Sequence, residues 1–172
     1  MDALDKIEKH VVLKAPIGRV WRAITDSEEF GRWFGISLQG KFVVGEEITG
    51  KFLKSLNEQA IMERQRSLGV PMSGLRHLEE DLIFCKVERL EPENYFSFRW
   101  IPYGIDADVN PEDEPTTLVE FELAEAPEGT LLTIVESGFE KVPEQRKPRA
   151  FRMNEGGWSV QLENIKKYVE KV

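Results

Sequence analysis

Apolar and polar positions alternate at the start of the chain: Ile7, Val11 and Leu13 share a parity with Lys9, while Glu8, His10 and Lys14 take the other. Period-two alternation predicts a strand with one buried face. The period then changes. Pro16 suits a first helical position, and Ile17, Val20, Trp21 and Ile24 form one helical stripe over Ile17–Thr25. Asp26-Ser27 can cap a second short helix, with Glu28 and Glu29 favourable in its first turn and Gly35 at its end. Gly40 and Gly45 bracket a short apolar stretch, Phe42 to Val44, and Glu46–Leu53 reads as a strand. Asn57–Glu80 reads as an excursion from the main fold, with a short helix around Glu58–Ser67 followed by a loop at Gly69, Pro71 and Gly74.

Strand patterns return at Asp81. Ile83, Cys85 and Val87 alternate with Phe84, Lys86 and Glu88. Tyr95–Ile101 sets Phe96, Phe98 and Trp100 against Ser97 and Arg99, after a turn at Pro92-Glu-Asn. Pro102–Pro115 carries five acids and reads as a solvated, mobile loop. Thr116–Ala124 and Thr130–Ser137 form a hairpin across Pro127-Glu-Gly. Trp158, Leu162, Ile165 and Val169 then step along one face of a long C-terminal helix that Phe151 joins and Pro148 starts. A hairpin-rich sheet with one apolar face needs a cover, and this helix is the element large enough to supply it. The expected architecture is one α+β domain over 1–172: a curved antiparallel sheet wrapped on a long C-terminal helix, with a cavity between them. Gly156-Gly157 lies inside the helix, where it either permits close packing on the sheet or leaves room beside Trp158.

Composition narrows the function classes. The 172 residues carry 31 acids and 23 bases, a net charge of −8. That balance disfavours a nucleic-acid binder or a partner of anionic membranes. A lone cysteine, Cys85, leaves no intramolecular disulfide and no thiolate zinc cluster. Neither an apolar leader nor a run long enough to span a membrane is present, so the expected location is the cytoplasm.

Four stretches carry a resemblance. They are Ala15-Pro-Ile-Gly-Arg-Val-Trp-Arg-Ala-Ile-Thr-Asp26; Arg32-Trp-Phe-Gly35; Glu114-Pro-Thr-Thr-Leu-Val-Glu-Phe121 with Gly129-Thr-Leu-Leu-Thr-Ile-Val-Glu-Ser-Gly-Phe139; and Asn154-Glu-Gly-Gly-Trp-Ser-Val-Gln-Leu-Glu-Asn-Ile165. In this order they resemble the bacterial proteins related to the activator of Hsp90 ATPase, within the START-like, Bet v 1-like (SRPBCC) helix-grip superfamily. The chain departs from that family at Gly45-Glu46, where a Gly-Gly pair is frequent, and in the length of its excursion. The resemblance implies the helix-grip fold and three kinds of function: small-molecule carrier, partner of an Hsp90-type chaperone, or cyclase- or hydrolase-type enzyme.

No catalytic signature singles out the enzyme. Gly-x-Ser-x-Gly is absent, the phosphate-binding glycine loop is absent, and the acids of Asp106–Glu114 lack calcium-loop spacing. His10 falls on the polar parity of its strand, and His77 sits in the excursion without metal-ligand spacing. Cys85 reads as a small buried hydrophobe. The expectation is therefore no metal, no cofactor and no catalytic residues. Trp33, Phe34, Phe52, Phe98, Trp100, Phe121 and Trp158 either line a cavity or fill the core. Glu136 shares parity with Leu132 and Ile134. It either faces the cavity, meeting an internal Arg or Tyr or a polar ligand group, or reaches water at the strand end. The favoured function is non-enzymatic binding of a small, largely apolar molecule.

Overall fold

The computed structural model describes residues 5–52, 58–76 and 82–171. His77 lies outside them. Seven strands form one antiparallel sheet: β1 (Lys6–Leu13), β2 (Ile36–Gln39), β3 (Glu47–Phe52), β4 (Leu82–Glu91), β5 (Tyr95–Trp100), β6 (Thr117–Ala126) and β7 (Gly129–Ser137). Their spatial order is β1-β7-β6-β5-β4-β3-β2, so the first strand crosses to pair with the last. Among the described residues four α-helices accompany the sheet: α1 (Ile17–Thr25), α2 (Ser27–Phe34), α3 (Glu58–Leu68) and α4 (Lys147–Val169). This is the expected α+β helix-grip arrangement, with two short helices after the first strand and a long C-terminal helix as cover. No helix among the described residues is long and apolar enough to cross a membrane.

Local chemistry explains the element ends. The Asp26 carboxylate accepts from the Glu28 and Glu29 amides at 3.0 Å, capping α2, and Gly35 closes that helix in the left-handed region at φ 95°. Pro148 lies in the first turn of α4, where its missing N–H is no loss. The α4 stripe is as the spacing predicts: Phe151, Trp158, Leu162, Ile165 and Val169 are all buried.

Three expectations need correction. On β4 the simple alternation fails. Ile83 is 58% exposed, while the neighbours Phe84 and Cys85 are both buried. The register with β3 shifts there, from Ile48 opposite Cys85 to Thr49 opposite Ile83. The extra residue of the bulge turns Phe84 inward and Ile83 out. Second, β2 is a strand that the sequence pattern did not single out; it is short and pairs along β3.

Third, the acidic loop is not solvated throughout: Asp108, Glu112 and Asp113 are exposed, but the Asp106 and Glu114 side chains are buried. Asp106 is 0% exposed, and two buried arginines of the α4 start hold it. Arg146 Nη1 donates to Asp106 Oδ2 at 3.3 Å, and Arg149 Nε donates to the same oxygen at 2.9 Å. Arg146 Nε also reaches Glu114 at 2.7 Å, and Arg149 Nη2 reaches Asp108 at 2.6 Å. The same arginine ties in the excursion, because Arg149 Nη1 donates to the Pro71 carbonyl at 2.8 Å. Leu75 bridges to Asp106, and the Arg76 amide donates to the Ile105 carbonyl at 2.7 Å. Over its described part the excursion is therefore docked against the loop and α4.

Candidate functional site

Most of the space between α4 and the sheet is taken by aromatic rings. Phe30 sits at the centre, with ring centroids of Trp33, Phe34, Phe42, Phe84, Phe98 and Phe121 4.7–6.5 Å away. Phe96 stacks on Phe121 at 5.8 Å. Of the aromatic residues singled out in the sequence, Trp33, Phe34, Phe98, Trp100, Phe121 and Trp158 join this cluster. Phe52 is half-buried at the end of β3, paired with Ile36 across the strands. It makes no ring contact with the cluster among the described residues.

The cluster ends at a polar group. Glu136 follows the parity of Leu132 and Ile134 on β7, points inward and is 0% exposed. A carboxylate removed from water needs partners. Among the described residues it finds neither Arg nor Tyr, but four neutral side chains. Trp100 Nε1 donates to Oε2 at 2.7 Å and Thr117 Oγ1 to the same oxygen at 2.6 Å. Trp158 Nε1 donates to Oε1 at 2.9 Å, and Asn154 Nδ2 reaches both oxygens at 3.1 and 3.2 Å. Secondary structure sets this convergence. Trp100 and Thr117 are cross-strand neighbours on β5 and β6, while Asn154 and Trp158 lie four positions apart on one face of α4. Burial pushes the Glu136 carboxyl above its ordinary pKa; the bonds from Thr117, Trp100, Trp158 and Asn154 pull against that without overcoming it.

A pocket opens beside this carboxylate. Its volume is about 120 Å³, and Phe34, Trp100, Asn154, Gly157, Trp158 and Gln161 line it. The two indoles stack at 5.5 Å and 28°, and Phe34 stands across them at 6.2 and 6.3 Å with angles of 65° and 66°. Gln161 Nε2 donates to the Phe34 carbonyl at 3.0 Å and fixes the rim. The glycine pair divides its roles. A Cβ on Gly156 would come within 2.3 Å of the Arg64 guanidinium, the far end of an exposed side chain, so that glycine gives this arginine of α3 its seat on α4. A Cβ on Gly157 would meet nothing within 4 Å, so that glycine leaves the pocket mouth open. A wider groove of about 700 Å³ lies beside the start of α2, lined by Asp26, Glu28, Arg32 and Phe42 among others, away from Glu136.

Sequence reasoning found Glu136, Trp100, Trp158 and Phe34 but gave no role to Thr117, Asn154 or Gln161. The signal for Asn154 was its spacing of one helical turn from Trp158. Thr117 needed the β5–β6 register, which no local pattern supplies. His10 is exposed on the edge strand β1. Cys85 is buried, and burial raises its thiol pKa, which suits a packing role rather than a reactive one. Among the described residues, no group of three His, Cys, Asp or Glu side chains is placed to hold a metal ion.

Comparison with known proteins agrees on the architecture. Over 97% of this chain and 98% of its own length, a solved Mesorhizobium loti protein is similar at 23% identity and a TM-score of 0.65. A Bacillus halodurans protein is similar at 24% identity over 99% of this chain and 100% of its own, with a TM-score of 0.62. The Aha1 dimer from Colwellia psychrerythraea is similar at 21% identity over 96% of each chain, with a TM-score of 0.60. At these identities the likeness is one of fold. A search of the curated proteins finds no match. The family model for the Activator of Hsp90 ATPase homolog 1-like protein matches residues 14–170, and the chain belongs to that family.

Proposed function

We propose that this protein binds a small, largely apolar molecule, or the apolar end of a larger one, in the pocket lined by Phe34, Trp100, Trp158 and Gly157, without chemically changing it. One observation carries the reading: an aromatic-walled pocket of about 120 Å³ opens beside a buried carboxylate, at a helix position where glycine leaves room. A dry cavity of roughly 150 Å³ admits benzene, so this volume suits one ring or a short branched alkyl group. Affinity would come from apolar surface removed from water, at roughly 25 cal/mol per Å² before the costs of association. The group beside the pocket is a carboxyl held by four neutral donors, with no second acid in contact with it among the described residues, which supports binding over catalysis.

An amide and indole NMR titration with a panel of small apolar molecules tests this. Saturable shifts at the Trp100 and Trp158 indole N–H groups, lost in Gly157→Leu, are the expected result. A panel that moves neither indole refutes the reading. The family description favours a second reading, in which the surface engages an Hsp90-type chaperone. Stimulation of such a chaperone's ATPase by the purified chain, weakened by salt, is its signature.

A further inference from the structure

The chemistry around the pocket specifies the charge of its occupant. Resting on the binding reading above, we propose that the pocket takes a small organic cation: a quaternary ammonium or a protonated amine with a short apolar body. The walls come first. Phe34, Trp100 and Trp158 line one side of the pocket in mutual contact, with the two indoles near-parallel and stacked at 5.5 Å and the phenyl ring set across them, so an occupant lies against this aromatic wall and not between the rings. The face of an aromatic ring carries the negative lobe of its quadrupole, and indole is the strongest of the three ring types.

The carboxylate behind the walls acts in the same direction. Both indole N–H groups donate to Glu136, at 2.7 and 2.9 Å. An indole that donates to an anion becomes more electron-rich, so each wall of Trp100 and Trp158 is a better cation acceptor than an isolated ring. Every described donor to Glu136 is neutral, and no Lys, Arg or His pairs with it among the described residues. Burial holds this carboxyl toward its neutral form while no cation among the described residues pairs with it, and the pocket is where a positive charge can approach and favour the ionised form. Asn154 turns its amide nitrogen to Glu136, which leaves its amide oxygen as the group it can offer a ligand N–H. An anionic ligand would meet repulsion there, and a neutral one would draw nothing from Glu136. The chain's net charge of −8 also favours the approach of cations.

Choline and 3,3-dimethylbutan-1-ol make the test, because they differ only in a cationic nitrogen replaced by carbon. Each is titrated into the full chain at the same ionic strength while the indole N–H resonances are followed. The expected result is saturable binding of choline at Trp100 and Trp158, about tenfold or more tighter than the alcohol. In Glu136→Gln, checked for folding by near-ultraviolet circular dichroism, the preference for choline should shrink severalfold, to what the ring faces alone supply. Gly157→Leu leaves Glu136 and its donors in place and should abolish both, which keeps the test valid if the Glu136 variant does not fold. Equal or tighter binding of the alcohol overturns the charge assignment while leaving the pocket reading intact. Binding of neither compound overturns both.

Discussion

A fully buried carboxylate normally announces a buried cation, and Glu136 has none among its described partners. Its charge is spread over four neutral donors instead, which makes those donors mutually dependent. Truncation to Glu136→Ala orphans two indole N–H groups, a hydroxyl and an amide. We expect a loss of about 3 kcal/mol, read from urea unfolding of the variant against the parent. The pH dependence has a definite sign. Because burial raises the folded-state pKa above the unfolded value, the ionised form is the less favoured one in the fold. Any stability linked to this group is fully present below the ordinary carboxylate pKa and is lost as pH rises through the folded value. The unfolding free energy of the parent minus that of Glu136→Gln should therefore fall with rising pH. A difference that rises instead would place the folded pKa below the unfolded one.

At the scale of elements, α4 shows how far a sequence pattern reaches. Its stripe from Phe151 to Val169 was legible because helical period and burial coincide. Its two glycines were not, because their purpose depends on what stands opposite. Gly156 faces an arginine from α3, an element distant in sequence, whereas Gly157 faces open space. The second therefore costs helix stability without a packing return. Gly157→Ala should stabilise the protein by about 1 kcal/mol in thermal or urea unfolding and narrow the pocket mouth at the same time. β4 teaches the complementary lesson. Parity put Ile83, Cys85 and Val87 on one face, and a bulge moved Ile83 to solvent. Hydrophobic alternation cannot reveal where a strand slips by one residue, since Ile and Phe satisfy either face. The direction of Glu136, by contrast, was a choice between two readings on parity alone, and β7 has no bulge in its pairings to overturn that parity.

Across the whole molecule, the helix-grip layout was readable from the order of strand and helix periods, but the joint that braces one end of it was not. Arg146, Arg149, Asp106, Asp108 and Glu114 look like ordinary surface charges in the sequence, and their partners lie some forty positions away. Folding makes them a network, buried except at Asp108, that joins α4, the acidic loop and the excursion. Burial opposes the Asp106 charge, but the Asp108 amide and Arg149 outweigh it and hold its pKa below the ordinary value. Its linked stability is therefore present above the unfolded carboxylate pKa and lost as pH falls through the folded one, the reverse of Glu136. Asp106→Ala removes the acceptor that both arginines share. We expect a loss of about 4 kcal/mol. Proteolytic nicking within residues 58–76 should appear in the variant before it does in the parent, because the excursion is tied to the same arginine.

The pairing of β1 with β7 has a consequence for how the chain is made. The Thr130 hydroxyl bonds to the Ala15 carbonyl across 115 positions, and the Lys14 amide bonds to Glu170 across 156. At ribosomal speeds that interval is on the order of ten seconds. Throughout it β1 lacks the strand it pairs with, and Ile7 and Leu13 lack the core they enter. Until β7 has emerged, the nascent chain therefore presents an unpaired strand with an apolar face, of the kind that holding chaperones bind.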